Sequence, residues 1–197
     1  MPLEQLNKHL SQINWFGFAG GILTLIVIIA SLYYPWWQLT IGDAVKVNVS
    51  PMNTNFGLFG TNFKIPLIYA LNIGSILTFL CSGIIMLIYS INPTKPYAKD
   101  LLDFAWKKPL YSVITSTLCL SLMVLLAQAL FKMNIPLIGT ATVSLPAQFT
   151  EGVAITVLAT AAFQWPLGLA LTAAILCITA RIYHKKTTQQ TTTNNNK

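Results

Sequence analysis

The chain has 197 residues, of which 54% are hydrophobic and only 9% are charged. This composition excludes an ordinary soluble domain, in which about a quarter of the residues are charged, and it is typical of a membrane protein. The formal net charge of +7 comes mainly from lysines in two short segments, so it does not indicate nucleic-acid binding.

Residues 1–14, the first segment, are predicted to form an amphipathic helix. Leu3, Leu6, Leu10 and Ile13 recur every three or four residues, with polar and charged residues between them. This spacing places one apolar stripe on a helix. We expect the helix to lie in the membrane interface, where it packs either beneath the chain's own helices or against a partner.

Four apolar stretches are long enough to cross a bilayer as helices. A helix rises 1.5 Å per residue, so about 20 residues cross a hydrocarbon core about 30 Å thick. In lipid the backbone must satisfy its own hydrogen bonds, which a helix does over runs of this length. The predicted spans are 15–36, 66–91, 109–131 and 163–183. They predict an all-α four-helix membrane bundle as the domain 15–186.

The lysines and arginine indicate the orientation of this bundle. Two segments carry most of the positive charge: Lys95, Lys99, Lys107 and Lys108 in the connection 92–108, and Arg181, Lys185, Lys186 and Lys197 at the C-terminal end. Positive charge collects in cytoplasmic loops. We therefore expect a cell-membrane protein with both termini and the 92–108 connection in the cytoplasm. A short amphipathic helix is also predicted within this connection, from Tyr97 to Pro109.

An aromatic block closes the first span. Tyr33, Tyr34, Trp36 and Trp37 are predicted to form a belt at the headgroup level, which amphipathic rings favour. Pro35 should end the helix, because it lacks an N–H group and restricts the residue before it.

The chain then changes to a β-pattern. Apolar side chains alternate with polar or small ones at Trp37, Leu39, Ile41, Val45, Val47 and Val49. A two-residue Gly-Asp turn would place apolar residues opposite polar ones. A three-residue loop, Gly42 to Ala44, places all six on one face, and a consistent face fixes the register of a hairpin. We expect this face to be buried against other outer strands or to form an interface.

The second outer connection repeats this pattern. Ala141, Val143 and Leu145 alternate with hydroxyl residues, and the same parity resumes at Val153 after a turn bounded by Pro146 and Gly152. The segment after Gly152 could instead extend the fourth span. We favour strands for this segment. The connections 37–65 and 133–162 are then predicted to form one small extracytoplasmic antiparallel β-sheet. Three or more strands are stable where a lone hairpin is not.

Small residues at helical spacing predict where the helices pack. Such rows let backbones approach closely in lipid. They comprise Gly17 and Gly21 in the first span, Gly74, Thr78 and Ser82 in the second, Ser112 and Ser116 in the third, and Gly168 and Thr172 beside Ala170 and Ala174 in the fourth. Asn72 and Gln128 are the strongest polar groups within the spans, and we expect them to hydrogen-bond between helices rather than contact a substrate.

Three further features concern modification and the tail. Asn48-Val49-Ser50 matches the N-glycosylation pattern on the predicted outer side. One cysteine lies in each of the last three spans, and we expect Cys81, Cys119 and Cys177 to act as small apolar packing residues. The polar segment 187–197 is predicted to be a disordered cytoplasmic tail.

The layout resembles the claudin and peripheral-myelin-protein tetraspan superfamily. The first outer loop of that family carries a Trp, then Gly-Leu-Trp, then two cysteines. Here Trp37 is followed by Gly57-Leu58-Phe59, so Phe59 replaces the second Trp, and the cysteine pair is missing. The resemblance implies a tetraspan with a β-rich outer domain and a role in adhesion or barrier formation.

The sequence offers no constellation for catalysis, a metal or a cofactor. Its two histidines, His9 and His184, lie outside the apolar core of the spans, and no span contains an acidic residue. We therefore expect a non-enzyme that acts by contact, as an accessory or structural subunit of a larger membrane complex. Its expected partners are the lipid bilayer and other membrane proteins, and self-association stays open. The alternative is a small transporter, channel or ligand-binding membrane protein.

Overall fold

The computed structural model describes residues 13–131, 134–144 and 156–195. Its helices are α1 (Trp15–Tyr33), α2 (Pro66–Ile91), α3 (Ala98–Ala105), α4 (Lys107–Phe131) and α5 (Trp165–Asn195), and its strands are β1 (Trp37–Ile41), β2 (Val45–Val49), β3 (Asn55–Leu58), β4 (Thr61–Phe63), β5 (Gly139–Ser144) and β6 (Thr156–Phe163). Apart from Ile13 and Asn14, the predicted helix over residues 1–14 lies outside the described residues. The predicted turn from Pro146 to Gly152 also lies outside them.

Four helical segments are long and apolar enough to cross a membrane, as predicted. They are Trp15–Tyr33, Pro66–Ile91, Ala98–Leu130 and Trp165–His184. The third is longer than expected because the short amphipathic helix α3, which the sequence predicts, leads directly into α4 through Trp106. Four long apolar helices are therefore confirmed.

The C-terminal end of the chain differs from the predicted disordered tail. Helix α5 continues to Asn195, past residue 187, where the predicted tail begins. Starting a helix is costly, whereas extending an existing one fixes only one residue for each hydrogen bond gained. The preceding apolar turns of α5 supply that start.

The chain forms two compact units, and the four long helices contribute residues to both. The first unit comprises the described residues of Met1–Ile29, Ile76–Val113 and Gly168–Lys197. The second comprises those of Ala30–Ser75 and Ile114–Leu167.

Close packing in the first unit depends on glycines of α1 and α2. A Cβ atom at Gly17 would meet Ser90 Oγ of α2 and lie 3.5 Å from Ala180 Cβ of α5. A Cβ at Gly21 would lie 2.9 Å from Leu87 Cγ and 3.1 Å from the Gly83 carbonyl. Gly17 and Gly21 therefore lie at helix contacts, as predicted, and Gly83 is a contact position that the spacing argument missed.

Four other predicted packing positions do not lie at such contacts. A Cβ at Gly74 or Gly168 would have no neighbouring atom within 4 Å, and Thr78 and Thr172 are exposed. Their prediction as packing residues of this chain's own helices is wrong. A spacing of four places residues on one face of a helix, but it does not say which face points inward. Ala170, Ala174 and Ser82 are buried and lie on the inward faces of their helices.

A glycine at a helix contact and a glycine away from such contacts should respond differently to substitution by leucine. We expect Gly21→Leu to lower the stability of the purified protein by about 1–3 kcal/mol, because the larger side chain overpacks the contact with Leu87 and Gly83. The measurement is thermal or denaturant unfolding in mild detergent. Gly74→Leu is the matched control and should leave the unfolding curve unchanged. Equal destabilisation by both substitutions would contradict this assignment of inward faces.

The second unit contains a six-stranded antiparallel sheet in the order β4-β3-β2-β1-β6-β5. Strands from the two predicted outer connections meet where β1 pairs with β6, Leu39 opposite Ala161. The two connections therefore form a single sheet, as predicted from their matching alternation.

The register of the first hairpin is the predicted one. Trp37 pairs with Val49, Leu39 with Val47 and Ile41 with Val45, so the loop has three residues. Gly42 has a φ of 50°, and a Cβ there would lie 2.6 Å from Val157 Cγ1 of β6. Glycine is required at this position for its conformation and for the close approach of β6.

The core of this unit lies between the sheet and helix α4. Trp37, Leu39 and Ile41 are buried together with Leu120 and Val124 of α4, and Val45, Val47 and Val49 pack against this cluster. The predicted apolar face is therefore buried, but its cover includes a helix and not only other strands. The sequence of α4 does not indicate this contact, because its apolar residues suit lipid and a protein core equally well.

Burial also corrects the predicted aromatic belt. Tyr33 and Tyr34 are exposed, as a belt requires, but Trp36 is 2% and Trp37 1% exposed. Trp36 Nε1 donates to Ser31 Oγ at 2.7 Å, and Trp37 Nε1 donates to the Leu137 carbonyl at 2.7 Å. Both tryptophans are core residues whose indole N–H groups have internal acceptors. Trp165 takes the place of one of them, because its exposed ring lies 5.3 Å from that of Tyr34.

Candidate interaction surface

The apolar face of the sheet continues beyond the strands that α4 covers. Val45 pairs with Leu58 and Val47 with Phe56, which in turn pairs with Phe63. Residues opposite one another share a face, so Phe56, Leu58 and Phe63 lie on the same face as the buried residues of β1. Among the described residues, the core cluster around α4 does not extend to them.

The end of this face is exposed and apolar. Four exposed residues, called the hairpin face below, belong to the β3–β4 hairpin and the link that follows it: Leu58, Phe59, Phe63 and Ile65. A cluster of this kind outside the long helices is unusual on a soluble surface and marks sites of contact with another protein or a membrane. Only residues 64 and 65 separate β4 from the first residue of α2.

The turn of this hairpin holds a bulky residue in a costly conformation. Phe59 has a φ of 47° and Gly60 a φ of 80°, which fits the two-residue type I′ loop that normally uses Asn-Gly. A phenylalanine with positive φ costs about 1–2 kcal/mol. Phe59 gains no burial in return, because 78% of its surface is exposed. Its backbone N–H donates to the Ala44 carbonyl at 2.7 Å, which fixes the turn against the neighbouring hairpin.

Hydrogen bonds from the preceding turn attach this hairpin to the end of α1. Ser50 is buried, and its Oγ accepts from the Asn53 N–H at 2.8 Å. Asn53 Nδ2 in turn donates to the Leu32 carbonyl of α1 at 2.8 Å. The orphan carbonyls at the helix C-terminus are thus partly satisfied by the turn, and the turn is held to the helix.

Asn72 attaches the same turn to helix α2. Its amide Nδ2 donates to the Pro51 carbonyl at 3.1 Å, and its Oδ1 accepts from the Thr54 N–H at 2.9 Å. Gln128 behaves similarly, because its Nε2 donates to the Ile135 carbonyl at 2.7 Å. The prediction that these two side chains bond between helices is wrong: both hold the chain segments that connect to the sheet.

The opposite face of the sheet is polar and nearly uncharged. One row crosses all six strands through successive paired residues: Asn62, Gly57, Lys46, Thr40, Thr160 and Thr140. Asn48 also lies on this face, between Gln38 and Asn55. Its Oδ1 is inaccessible to solvent and has no hydrogen-bond partner among the described residues. Glycosylation of Asn48, which the sequence pattern predicts, modifies the side-chain nitrogen Nδ2 and stays a prediction.

The residues that carry the family resemblance lie in different environments. Trp37 is buried in the core of the sheet, Gly57 and Leu58 belong to β3, and Phe59 is exposed in the turn. The three cysteines are free thiols, with Cys177 buried and Cys81 and Cys119 exposed. Only Cys177 fits the predicted packing role within the chain itself.

Comparison with models of known protein families gives no match, and comparison with curated proteins gives none either. Among the described residues, no group of three or more His, Cys, Asp or Glu side chains could hold a metal ion. The hairpin face is therefore the strongest candidate site. The sequence argument identified Phe59 only as part of a motif, and it missed Phe63 and Ile65 because β3 and β4 have four and three residues, too few for a clear alternation.

Proposed function

We propose that this protein is a multi-pass membrane protein that acts by contact, as a non-catalytic subunit that binds another membrane protein through its hairpin face. The observation that carries the proposal is Phe59, a bulky apolar residue held at positive φ and 78% exposed. Strain of this kind persists where function maintains it, and asparagine or glycine would occupy the same turn without it.

The position of the hairpin in the chain supports a membrane protein as the partner. Residues 64 and 65 are the only link between β4 and a helix long enough to span the bilayer. The hairpin face must therefore lie close to the membrane surface, within reach of the outer end of a neighbouring membrane protein. The remainder of the same apolar face already packs on a helix, α4, so an apolar helix is the surface that it fits.

The distribution of lysines supports an extracytoplasmic location for the sheet. The connection 92–108 and the segment after residue 180 hold eight of the twelve lysine and arginine residues, and positive charge favours the cytoplasmic side. Because successive spans alternate in direction, the two connections that form the sheet then face outward. An adhesion or barrier role like that of the claudins is a narrower form of this proposal and rests on the resemblance alone.

Substituting Phe59 with asparagine separates contact from folding. We expect Phe59→Asn to stabilise the protein by about 1 kcal/mol, because asparagine tolerates the left-handed conformation. The same substitution should abolish binding of the partner. The measurement is purification of the tagged chain in mild detergent, with the stoichiometry of co-purified subunits and the unfolding temperature determined on the same sample.

Leu158→Asn is the matched control, because Leu158 is an exposed apolar residue on β6, far along the sheet from the hairpin. It should retain the partner. Retention of the partner by Phe59→Asn would exclude the hairpin face as the contact. A wild-type chain that purifies alone and carries a bound small molecule, or supports flux in vesicles, would favour the transporter alternative.

A further inference from the structure

A second feature of the chain, in the first unit, is a cluster of cations on aromatic rings. The Arg181 guanidinium lies 4.2 Å from the centre of the Trp106 ring, and Lys107 Nζ lies 5.8 Å from it. Lys108 Nζ lies 4.8 Å from the centre of the Phe104 ring. Aromatic rings attract cations through their negative faces. The rings at the junction of α3 and α4 therefore hold three positive charges close together.

Among the described residues of this cluster, positive charge exceeds negative charge. Arg181 Nη2 lies 3.2 Å from Asp103 Oδ1, which leaves most of the five guanidinium donors available. Among the described residues, the segment 98–108 and Arg181 together carry four cationic side chains, Lys99, Lys107, Lys108 and Arg181, and two carboxylates, Asp100 and Asp103. An anion with several acceptor oxygens would complement this excess, and a phosphate group matches the geometry of a guanidinium.

Trp106 contributes a donor that lacks an acceptor. Its indole Nε1 is shielded from solvent and has no hydrogen-bond partner among the described residues. A buried N–H group without a partner destabilises a fold, and such a group in a folded protein requires an explanation, such as a bound ion. An anion bound between the rings and the lysines would supply the missing acceptor.

The surroundings of the cluster indicate where that anion comes from. Exposed aromatic side chains surround this end of the helices: Phe16, Tyr97, Phe104, Tyr111 and Tyr183. Such rings favour the headgroup level of a bilayer, and basic pockets between helices on the cytoplasmic side bind anionic headgroups. We propose that Trp106, Lys107, Lys108 and Arg181 form a binding site for the headgroup phosphate of an anionic phospholipid.

The experiment compares two phospholipids on the full chain in detergent. Phosphatidylglycerol and phosphatidylcholine with the same acyl chains are titrated in, and the lipids bound per chain are counted by native mass spectrometry. We expect phosphatidylglycerol to bind in preference. The double substitution K107Q/K108Q should weaken its binding by roughly 25-fold, about fivefold for each lysine near the membrane surface. Trp106→Phe keeps an aromatic ring but removes the indole N–H, and should weaken phosphatidylglycerol binding by about tenfold.

K46Q/K64Q is the matched control, because it removes the same charge at two exposed lysines of the second unit. It should leave phosphatidylglycerol binding unchanged. Equal binding of the two phospholipids by the wild type would overturn the proposal. So would a loss of phosphatidylglycerol binding in K46Q/K64Q as large as the loss in K107Q/K108Q. Binding of glycerol phosphate as tightly as of phosphatidylglycerol would show a site for free phosphate rather than for a lipid. The unfolding temperature shows whether K107Q/K108Q is still folded. If it is not, the binding of phosphatidylglycerol by Trp106→Phe, the more conservative change, tests the proposal instead.

Discussion

Replacing Leu39 by aspartate should unfold the sheet, whereas the same replacement at the neighbouring Thr40 should leave it folded. Leu39 is 4% exposed and packs in the core between the sheet and Leu120 and Val124 of α4. A carboxylate there loses its hydration without gaining a partner, which costs several kcal/mol. Thr40 belongs to the polar face, where a carboxylate remains hydrated and lies opposite Lys46. The measurement is limited proteolysis of the sheet in detergent, combined with the unfolding temperature.

Two further substitutions make this test specific to the packing on α4. Leu39→Ala removes buried carbon atoms without adding charge and should cost about 2–5 kcal/mol. Val124→Asp places the charge on the helix side of the same core and should expose the sheet to protease as Leu39→Asp does. If Val124→Asp left the sheet as resistant as the wild type, the sheet would be stable without α4. If Thr40→Asp proved as harmful as Leu39→Asp, the assignment of the two faces would be wrong.

The register of β1 and β2 could be predicted because a strand alternates with a period of two. A loop one residue shorter or longer would have moved Val45, Val47 and Val49 to the other face of the sheet. Only the three-residue loop kept them with Trp37, Leu39 and Ile41, and the structure has this pairing. The helices could be predicted for a related reason, since length and apolar composition alone determine whether a helix can cross a bilayer.

The cover of the sheet could not be predicted because nothing in α4 distinguishes lipid contact from contact with a sheet. Leu120 and Val124 are buried while Leu118 and Leu122 are exposed, yet all four are apolar residues in one uniform stretch. Lipid and protein interior select the same side chains, so hydrophobic periodicity, which orients helices of soluble proteins, fails here. The same ambiguity explains the wrong assignments of Gly74 and Gly168.

The candidate site could be predicted only in part. The motif Gly57-Leu58-Phe59 lies in the segment of the candidate site, but a Phe-Gly turn lacks the usual Asn-Gly signal for a two-residue hairpin. The strained conformation of Phe59 is a property of the folded backbone and leaves no trace in composition. The cation cluster at Trp106 was missed for another reason: Arg181 is separated from it by most of α4, α5 and the connecting strands, and only folding brings them together.

Asn14 provides the second large effect, because one buried side chain joins three helices. Its Oδ1 accepts from the Gly17 N–H at 3.1 Å and so caps α1. Its Nδ2 donates to Tyr89 Oη of α2 at 2.8 Å and to the Ala180 carbonyl of α5 at 3.1 Å. Asn14→Ala removes the cap, worth about 1 kcal/mol, and leaves buried groups without partners at about 1–3 kcal/mol. We expect a total loss of about 2–4 kcal/mol in unfolding experiments in detergent.

Two milder changes divide this loss into its parts. Asn14→Ser keeps an uncharged acceptor for the Gly17 N–H but removes the two amide donors to Tyr89 and Ala180, so it should reveal the cost of the links to α2 and α5. Tyr89→Phe removes a single acceptor and should cost about 1 kcal/mol. Because the side chains of Asn14 and Tyr89 are hydrogen-bonded directly, the double variant Asn14→Ala/Tyr89→Phe should lose less stability than the sum of the losses of the two single variants. Strict additivity would show that the bond between Asn14 and Tyr89 contributes nothing, and the effect of Asn14→Ala would then come from the cap and Ala180 alone.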